Sequence, residues 1–265
     1  MAQNTELQER YSSLVEAKLR ATSILAGLFN RRYEGTPTAG AVKVPVRSEA
    51  VVNAYDVTNG VAMTAPNTNY ETLVCDVDLA VNELIDGFVA EAVPDGMIAD
   101  RLDSAGYALG NDIDTKLVAL LKTEANHTAP TTSETKIVNI ILDTLAQARQ
   151  AKVDPNAMWL VISPTLRAEI KKDDTWIKAA DMTDLKNGQI GMLDGVPVFE
   201  SANLSGKEFI LGNNTYCHFV NAWAVPVSVN NLSDGKPIGA SAVQGREVCG
   251  YKVTKPTTVF YYKKA

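Results

Sequence analysis

Few side chains in this sequence suit metal binding or nucleophilic chemistry: two histidines, His127 and His218, and three cysteines, Cys75, Cys217 and Cys249. His127 falls in a polar loop and His218 in the middle of an apolar strand. Neither has a cysteine or carboxylate at metal-ligand spacing. An odd number of cysteines without a CxxC pair fits reduced thiols in a cytoplasmic setting, serving as small core residues, better than a disulfide framework. GxSxG, HExxH, GxGxxG and P-loop patterns are absent from the sequence. The nearest phosphate-loop lookalike, Ser233-Asp234-Gly235-Lys236, is followed by Pro237, where a Ser or Thr hydroxyl would have to help hold the metal. Asp112 and Asp114 flank Ile113 two positions apart, so on a helix they do not face each other and read as a solvated or subunit-facing edge. No catalytic residue, metal ligand or cofactor is assigned.

The residues that do ask for a partner are apolar. In AVKVPVR, Val42, Val44 and Val46 alternate with polar residues and Pro45, the pattern of an edge strand. Residues 70–81, YETLVCDVDLAV, alternate as a second strand with Leu73, Cys75, Val77 and Leu79 on one side. Between them lies SEAVVNAYDVTNGVAMTAPNTN, which has no helical period. A structureless loop of that length is uncommon inside a compact domain, so the segment is either a long projecting hairpin, a lid or disordered. As a hairpin with arms of about ten residues it would reach roughly 35 Å. Val51, Val52, Tyr55, Val57, Val61 and Met63 would then need a second molecule to cover them, because an isolated hairpin is marginal in water.

The element positioned to carry such a projection is a long helix over 94–122. Ile98, Leu102, Ala105, Leu109, Ile113, Leu117, Leu120 and Leu121 draw one apolar stripe, and Pro94 and Asp95 suit its start. It would span about 40 Å, the length of a strut. Gly106 and Gly110 each cost roughly 1 kcal/mol in a helix interior, which makes sense if another backbone packs closely there. Residues 5–29 read as an amphipathic helix, either packed on its own domain or lying on a neighbour as an arm. NELIDGFVAEAV reads as a short helical or mixed stretch. ETKIVNIILDTLAQARQAKV places Ile137, Ile140, Ile141, Leu145 and Ala148 on one helix face. AMWLVIS is a continuous apolar strand of the kind buried on both faces, and Ser163-Pro164 caps the helix that follows. Asp194-Gly195 between two apolar runs signals a type I′ hairpin, and strands complete the chain.

Apolar residues at 46% and charged residues at 21% are ordinary for a globular protein. A net charge of −6 argues against a dedicated nucleic-acid-binding domain, although an acidic protein can enclose nucleic acid without gripping it. No run approaches the roughly eighteen apolar residues of a membrane span, and the first thirty residues lack the apolar core of a signal peptide. The expectation is a soluble protein with no membrane partner. The four Asn-x-Ser/Thr triplets then read as chance.

Taken in order, these pieces resemble the major capsid proteins of tailed bacteriophages, with the Hong Kong 97-type fold. The resemblance is carried by the Gly/Pro-containing entry, the extended loop, NELIDGF leading to the helix that ends ALGNDIDTKLVALL, the NAMWLVISPTLRAEI unit, NGQIGMLDGVPVFESANL and the closing GREVCGYKVTKPTTVFYY. Each motif is weak singly, and their order and spacing are much more specific. The resemblance implies an α+β fold with an N-terminal arm (1–33) and an extended β-hairpin loop (34–82) lying over an adjacent subunit. A peripheral domain with the long spine helix (83–130 and 246–265) and an axial domain around five- and six-fold centres (131–245) complete it.

The implied function is assembly, as hexamers and pentamers, into the icosahedral shell around the DNA genome of a tailed bacteriophage. Intersubunit contacts are expected from Val52, Tyr55, Val57 and Met63, and from charge pairs involving Arg31, Arg32, Arg47, Glu49, Glu83 and Asp86. Residues 48–69 contain no Lys, so the lysine cross-link of some relatives is not expected there. The arm is too short for a cleaved scaffolding region, so a separate scaffolding protein is expected beside a portal, with assembly in the host cytoplasm and residence in the virion. The alternatives are an encapsulin, a nanocompartment of the same fold, and, more distantly, a small soluble enzyme.

Overall fold

The structure is a computed structural model. It describes residues 24–33, 40–47, 50–61, 63, 65–88, 97–127, 136–172, 189–232 and 238–263, except for the side chains of Arg47, His127 and 97–100. The reading of an amphipathic arm over 5–29 lies mostly outside the described residues, as do Glu49, Pro94, Asp95 and the 233–237 segment. In chain order the elements are α1 (Leu25–Leu28), β1 (Ala41–Arg47), β2 (Thr68–Val74), β3 (Val77–Ile85), α2 (Met97–Glu124), β4 (Asn126–His127), α3 (Ile137–Gln150), β5 (Met158–Ile162), α4 (Pro164–Lys171), β6 (Gln189–Leu193), β7 (Val196–Glu200), β8 (Glu208–Asn213), β9 (Cys217–Asn231), β10 (Ser241–Val253) and β11 (Phe260–Lys263). The fold class is α+β, as the resemblance implied.

Helix α2 runs 28 residues, and the apolar stripe read from its sequence is its buried face: Ala105, Leu109, Ile113, Leu117 and Leu121 are all buried. Toward its N-terminal end Leu102 and Ala105 meet Val81, Ile85, Val227 and Val243 of a three-stranded sheet ordered β3-β10-β9. Toward its C-terminal end Ile113, Leu117, Val118 and Leu121 join Trp159, Val161, Phe199, Ile210 and Phe219 in a second cluster. That cluster lies between β9 and β10 and a six-stranded sheet ordered β4-β11-β8-β5-β7-β6. The other face of this sheet carries α3 and α4, where Ile137, Ile141, Leu145, Leu166 and Ile170 pack on Leu160, Ile162, Val198 and Phe209. With apolar layers on both sides, β5 is buried at all five positions, as a continuous apolar run requires.

Several local signals act as read. Ser163 Oγ accepts the Leu166 N–H at 3.1 Å with Pro164 in the first turn of α4. Asp194 and Gly195, at φ 50° and 80°, make the left-handed pair of a type I′ turn between β6 and β7.

Other readings are corrected. Residues 70–81 are not one strand: the chain breaks at Cys75 and Asp76, β2 pairing with β1 and β3 with β10. Residues 82–85 of the expected helical or mixed stretch continue β3. A Cβ on Gly106 would meet nothing within 4 Å, so among the described residues no backbone packs there. The close approach of helix and sheet occurs on the strand side instead, at Gly245, where a Cβ would come within 2.6 Å of Val227 and 3.3 Å of Leu109. Asp114 is not on a solvated edge. It is buried, and its Oδ2 accepts the Ile24 N–H at 2.7 Å, tying the start of α1 to α2.

The pairings also run across the division expected at residue 245. β9, from the 131–245 segment, lies in the sheet of β3 and β10, and β11, from the 246–265 segment, pairs with β8.

Two buried titratable groups hold this arrangement together. Glu208 is buried beside the last turn of α2: its Oε2 receives the Lys122 ammonium at 2.7 Å and the Ser205 N–H at 3.3 Å, and Lys263 lies 3.6 Å from Oε1. Burial pushes this carboxyl up, but hydrogen bonds from Lys122 and Tyr261, the Lys122 charge and the Ser205 amide outweigh it and hold the group below its ordinary 4.5. His218 is buried on β9, with Nε2 3.3 Å from Thr254 Oγ1 and its ring edge-on to Tyr33 at 5.6 Å. Burial pushes its pKa down to about 4.

The signs of these shifts give two expectations. Glu208 contributes its stability above about 4.5, and the contribution is lost as pH falls through its depressed folded value. Glu208→Gln should therefore cost about 1.5–3 kcal/mol in neutral denaturant unfolding and less in acid. His218 leaves stability flat above about 6.5 and draws it down from there toward about 4, since only the unfolded chain protonates in that window. His218→Phe should flatten that stretch of the stability–pH curve.

Candidate assembly surface

The candidate site is built where β1 and β2 leave the body. The two strands pair antiparallel from Ala41↔Val74 to Arg47↔Thr68 and belong to neither larger sheet. In a two-stranded ribbon both strands are edges, so Pro45 opposite Tyr70 costs little ladder bonding. The base is fixed in three ways. Val44 and Leu73 on one face of the ribbon pack on Val220 of β9. Lys252 of β10 reaches Glu71 at 2.7 Å and the Thr72 carbonyl at 3.1 Å. Gly250 lets β2 cross β10, since a Cβ there would lie 2.4 Å from the Val74 carbonyl oxygen and 2.7 Å from Leu73. The Cys75 N–H, donating to Gly40 O at 2.8 Å, closes the base where the strand breaks.

Beyond the ribbon the chain turns tightly at Asp56–Gly60. The Gly60 N–H donates to Asp56 O at 2.8 Å, and the Asp56 carboxylate accepts the Thr58 N–H at 2.8 Å and Asn59 Nδ2 at 2.9 Å. These hydrogen bonds, that of Thr58 first, lower the Asp56 pKa and keep it ionised. Around this polar turn the apolar side chains stand in water: Val52 is 93% exposed, Tyr55 74%, Val57 88% and Met63 101%. The exposed side chains fit the projecting hairpin, whose arms, among the described residues, pair along the ribbon and at the Asp56–Gly60 bridge.

The charged candidates fall elsewhere. Arg31 and Arg32 are exposed beside β9, with the Arg31 guanidinium 5.7 Å above the Phe219 ring. Arg47 pairs with Thr68 at the far end of the ribbon. Glu83 on β3 lies 3.9 Å from Arg101 of α2, and Asp86 accepts the Phe88 N–H at 3.1 Å, so both have partners within the chain. Sequence reasoning passed over Gly250, Lys252 and the Asp56 turn. Only the last carried a local signal, Asn59-Gly60.

The potential nucleophiles do not form a site. Cys217 and Cys249 are buried, and burial pushes both thiols up to about 12. Among the described residues no group of three or more His, Cys, Asp and Glu could hold a metal ion, and no helix is long and apolar enough to cross a membrane.

The structure is similar to a chain of Mycobacterium phage Che8, with TM-score 0.75 and 21% identity over 99% of this chain and 98% of that one. It is similar to a chain of the capsid of cyanophage P-SCSP1u, with TM-score 0.70 and 12% identity over 93% and 89%. A virus-like particle from Pyrococcus furiosus is less similar, at TM-score 0.57 and 14% identity over 90% and 91%. No curated protein matches the sequence. The model of a family described as phage capsid protein matches residues 88–262, well over half of the chain. The chain belongs to this phage capsid protein family, and its fold is that of the tailed-phage major capsid proteins.

Proposed function

We propose that this major capsid protein assembles as hexamers and pentamers into an icosahedral shell enclosing double-stranded DNA, and that the 50–67 loop is its principal device for binding neighbours. The observation that carries the reading is the loop itself: Val52, Val57 and Met63 are almost wholly exposed on a hairpin anchored rigidly at its base. Burying each of these side chains on another subunit is worth about 1.5–3 kcal/mol. A single such contact, after the cost of association, is modest. Repeated around every subunit of a closed shell, it gives stability without any one tight interface.

The charged candidates act at the margins of these contacts, where they favour one register over others more than they add affinity. The six-stranded sheet with α3 and α4 is the unit we assign to the axial centres, and the three-stranded sheet with α2 to the periphery. The net charge of −6 suits a container whose lining must release its contents. A scaffolding protein and a portal are the further partners, and assembly takes place in the host cytoplasm before the shell becomes part of the virion.

The test is expression alone and with neighbouring reading frames, followed by light scattering and negative-stain microscopy. Closed shells or free hexamers and pentamers are expected, and a monomer under every condition would overturn the proposal. Nuclease-protected DNA inside argues for the phage shell, and enzyme cargo for the nanocompartment. Val52→Asp with Val57→Asp should leave the subunit folded by circular dichroism but lower shell yield more than about tenfold, since a buried unpaired carboxylate is prohibitive. Gly250→Ala should cost about 1–3 kcal/mol by overpacking and speed proteolysis within 40–76, where the ribbon loses its seat.

A further inference from the structure

We infer that Asn59-Gly60, at the Asp56–Gly60 turn, is a modification site where the Asn59 amide converts to a carboxylate through a cyclic imide, and that Asp56 holds the site unreactive while the turn is closed.

The chemistry needs no enzyme. The Gly60 backbone nitrogen, giving up its proton to solvent base, attacks Cγ of the Asn59 side chain. A new C–N bond closes a five-membered succinimide as the Cγ–Nδ2 bond breaks, and the amide nitrogen leaves as ammonia, taking up a proton. Water then opens the ring at either carbonyl to give aspartate or isoaspartate, so the net change is amide plus water to carboxylate plus ammonium. Glycine favours this attack because it has no Cβ to crowd the forming ring and its backbone reaches the needed conformations freely. Residues 50–67 hold three asparagines, Asn53, Asn59 and Asn67, and of these Asn59 alone precedes glycine. Asn59 is exposed, so water reaches the imide.

The closed turn opposes the reaction at both nitrogens. The attacking one is engaged across the bridge, where the Gly60 N–H donates to Asp56 O at 2.8 Å. The leaving one is engaged too, Asn59 Nδ2 donating to Asp56 Oδ2 at 2.9 Å. The other carboxylate oxygen accepts the Thr58 N–H at 2.8 Å, which fixes the anchor itself. Ring closure must free the Gly60 N–H and swing the Asn59 side chain over its own peptide, and both restraints end on one residue. Each hydrogen bond shifts the reactive population by roughly two- to tenfold. The exposure to this chemistry is imposed by the turn: Gly60 stands at φ 69°, the left-handed region that selects glycine, directly after an asparagine.

Conversion is also one-way. The product replaces the Asn59 donor with a second carboxylate where Asp56 Oδ2 had been 2.9 Å away. The turn's hydrogen bonds, that of Thr58 first, keep Asp56 ionised, so the two anions repel and the clamp does not re-form.

The experiment incubates wild-type, Asp56→Ala and Asn59→Gln chains at mildly alkaline pH, folded and in denaturant, and follows the amide-to-acid mass change in the 50–67 peptide, with isoaspartate detected by enzymatic methylation. Folded wild type should convert at least about tenfold more slowly than the denatured chain. Asp56→Ala should recover most of that factor while keeping the circular dichroism of wild type, and Asn59→Gln should remove the product. Asn59→Asp, which installs the aspartate product directly, should speed exchange of the Gly60 amide. Equal rates in folded and denatured wild type would overturn the inference, as would an Asp56→Ala rate no faster than that of wild type or a product that persists in Asn59→Gln. A Gly60 amide as protected in Asn59→Asp as in wild type would overturn the one-way step.

Discussion

A buried stripe along α2, from Leu102 to Leu121, supplies the hydrophobic contact between two sheets that share no strand. The continuous backbone hydrogen bonding of a 28-residue helix makes it the stiff member on which both sheets are hung. Its fastenings are chemically distinct along its length. Near the N-terminal end, Gly245 lets the three-stranded sheet close on the helix. At the middle, the buried Asp114 carboxylate holds the start of α1, and at the last turn Lys122 meets Glu208 of the six-stranded sheet. Removing one partner from a buried polar pair is expensive because the other is left desolvated, so these fastenings fix register as well as distance.

The consequence for function lies at the other end of the ribbon. Val44 and Leu73 are buried on the body, and the same two strands then run out to a loop whose apolar side chains are exposed. A single subunit is therefore well packed and incomplete at once. Contiguous exposed apolar surface of this kind marks interaction sites in soluble proteins.

What was legible in the sequence was whatever depends on neighbours in sequence. The α2 stripe, the five buried residues of β5, the Ser163 cap and the Asp194-Gly195 turn follow from periodicity and local chemistry, and the structure has each of them. The exposure of the loop was legible for the same reason, because alternating strands flanked a long segment with scattered apolar residues and no helical period. What failed depends on distant partners. The break at Cys75 follows from β2 crossing Gly250 while β3 pairs with β10, from Val77 with Cys249 to Ile85 with Ser241, and nothing in YETLVCDVDLAV records that. Asp114 looked solvent-facing because its partner, the Ile24 N–H, is 90 residues earlier. Gly106 drew attention as a break in helix propensity yet has open space beside it, while Gly245, across the interface on β10, is where a Cβ would crowd Val227 and Leu109.

The most direct test of the account is amide hydrogen exchange compared between unassembled subunits and assembled particles. The 50–67 peptides should exchange rapidly in free subunits, where among the described residues Asp56 and Gly60 alone bridge the arms, and slow strongly on assembly, while Met158–Ile162 stays protected in both. Loop peptides that exchange equally fast in particles and in free subunits would contradict the claim that neighbours cover this surface.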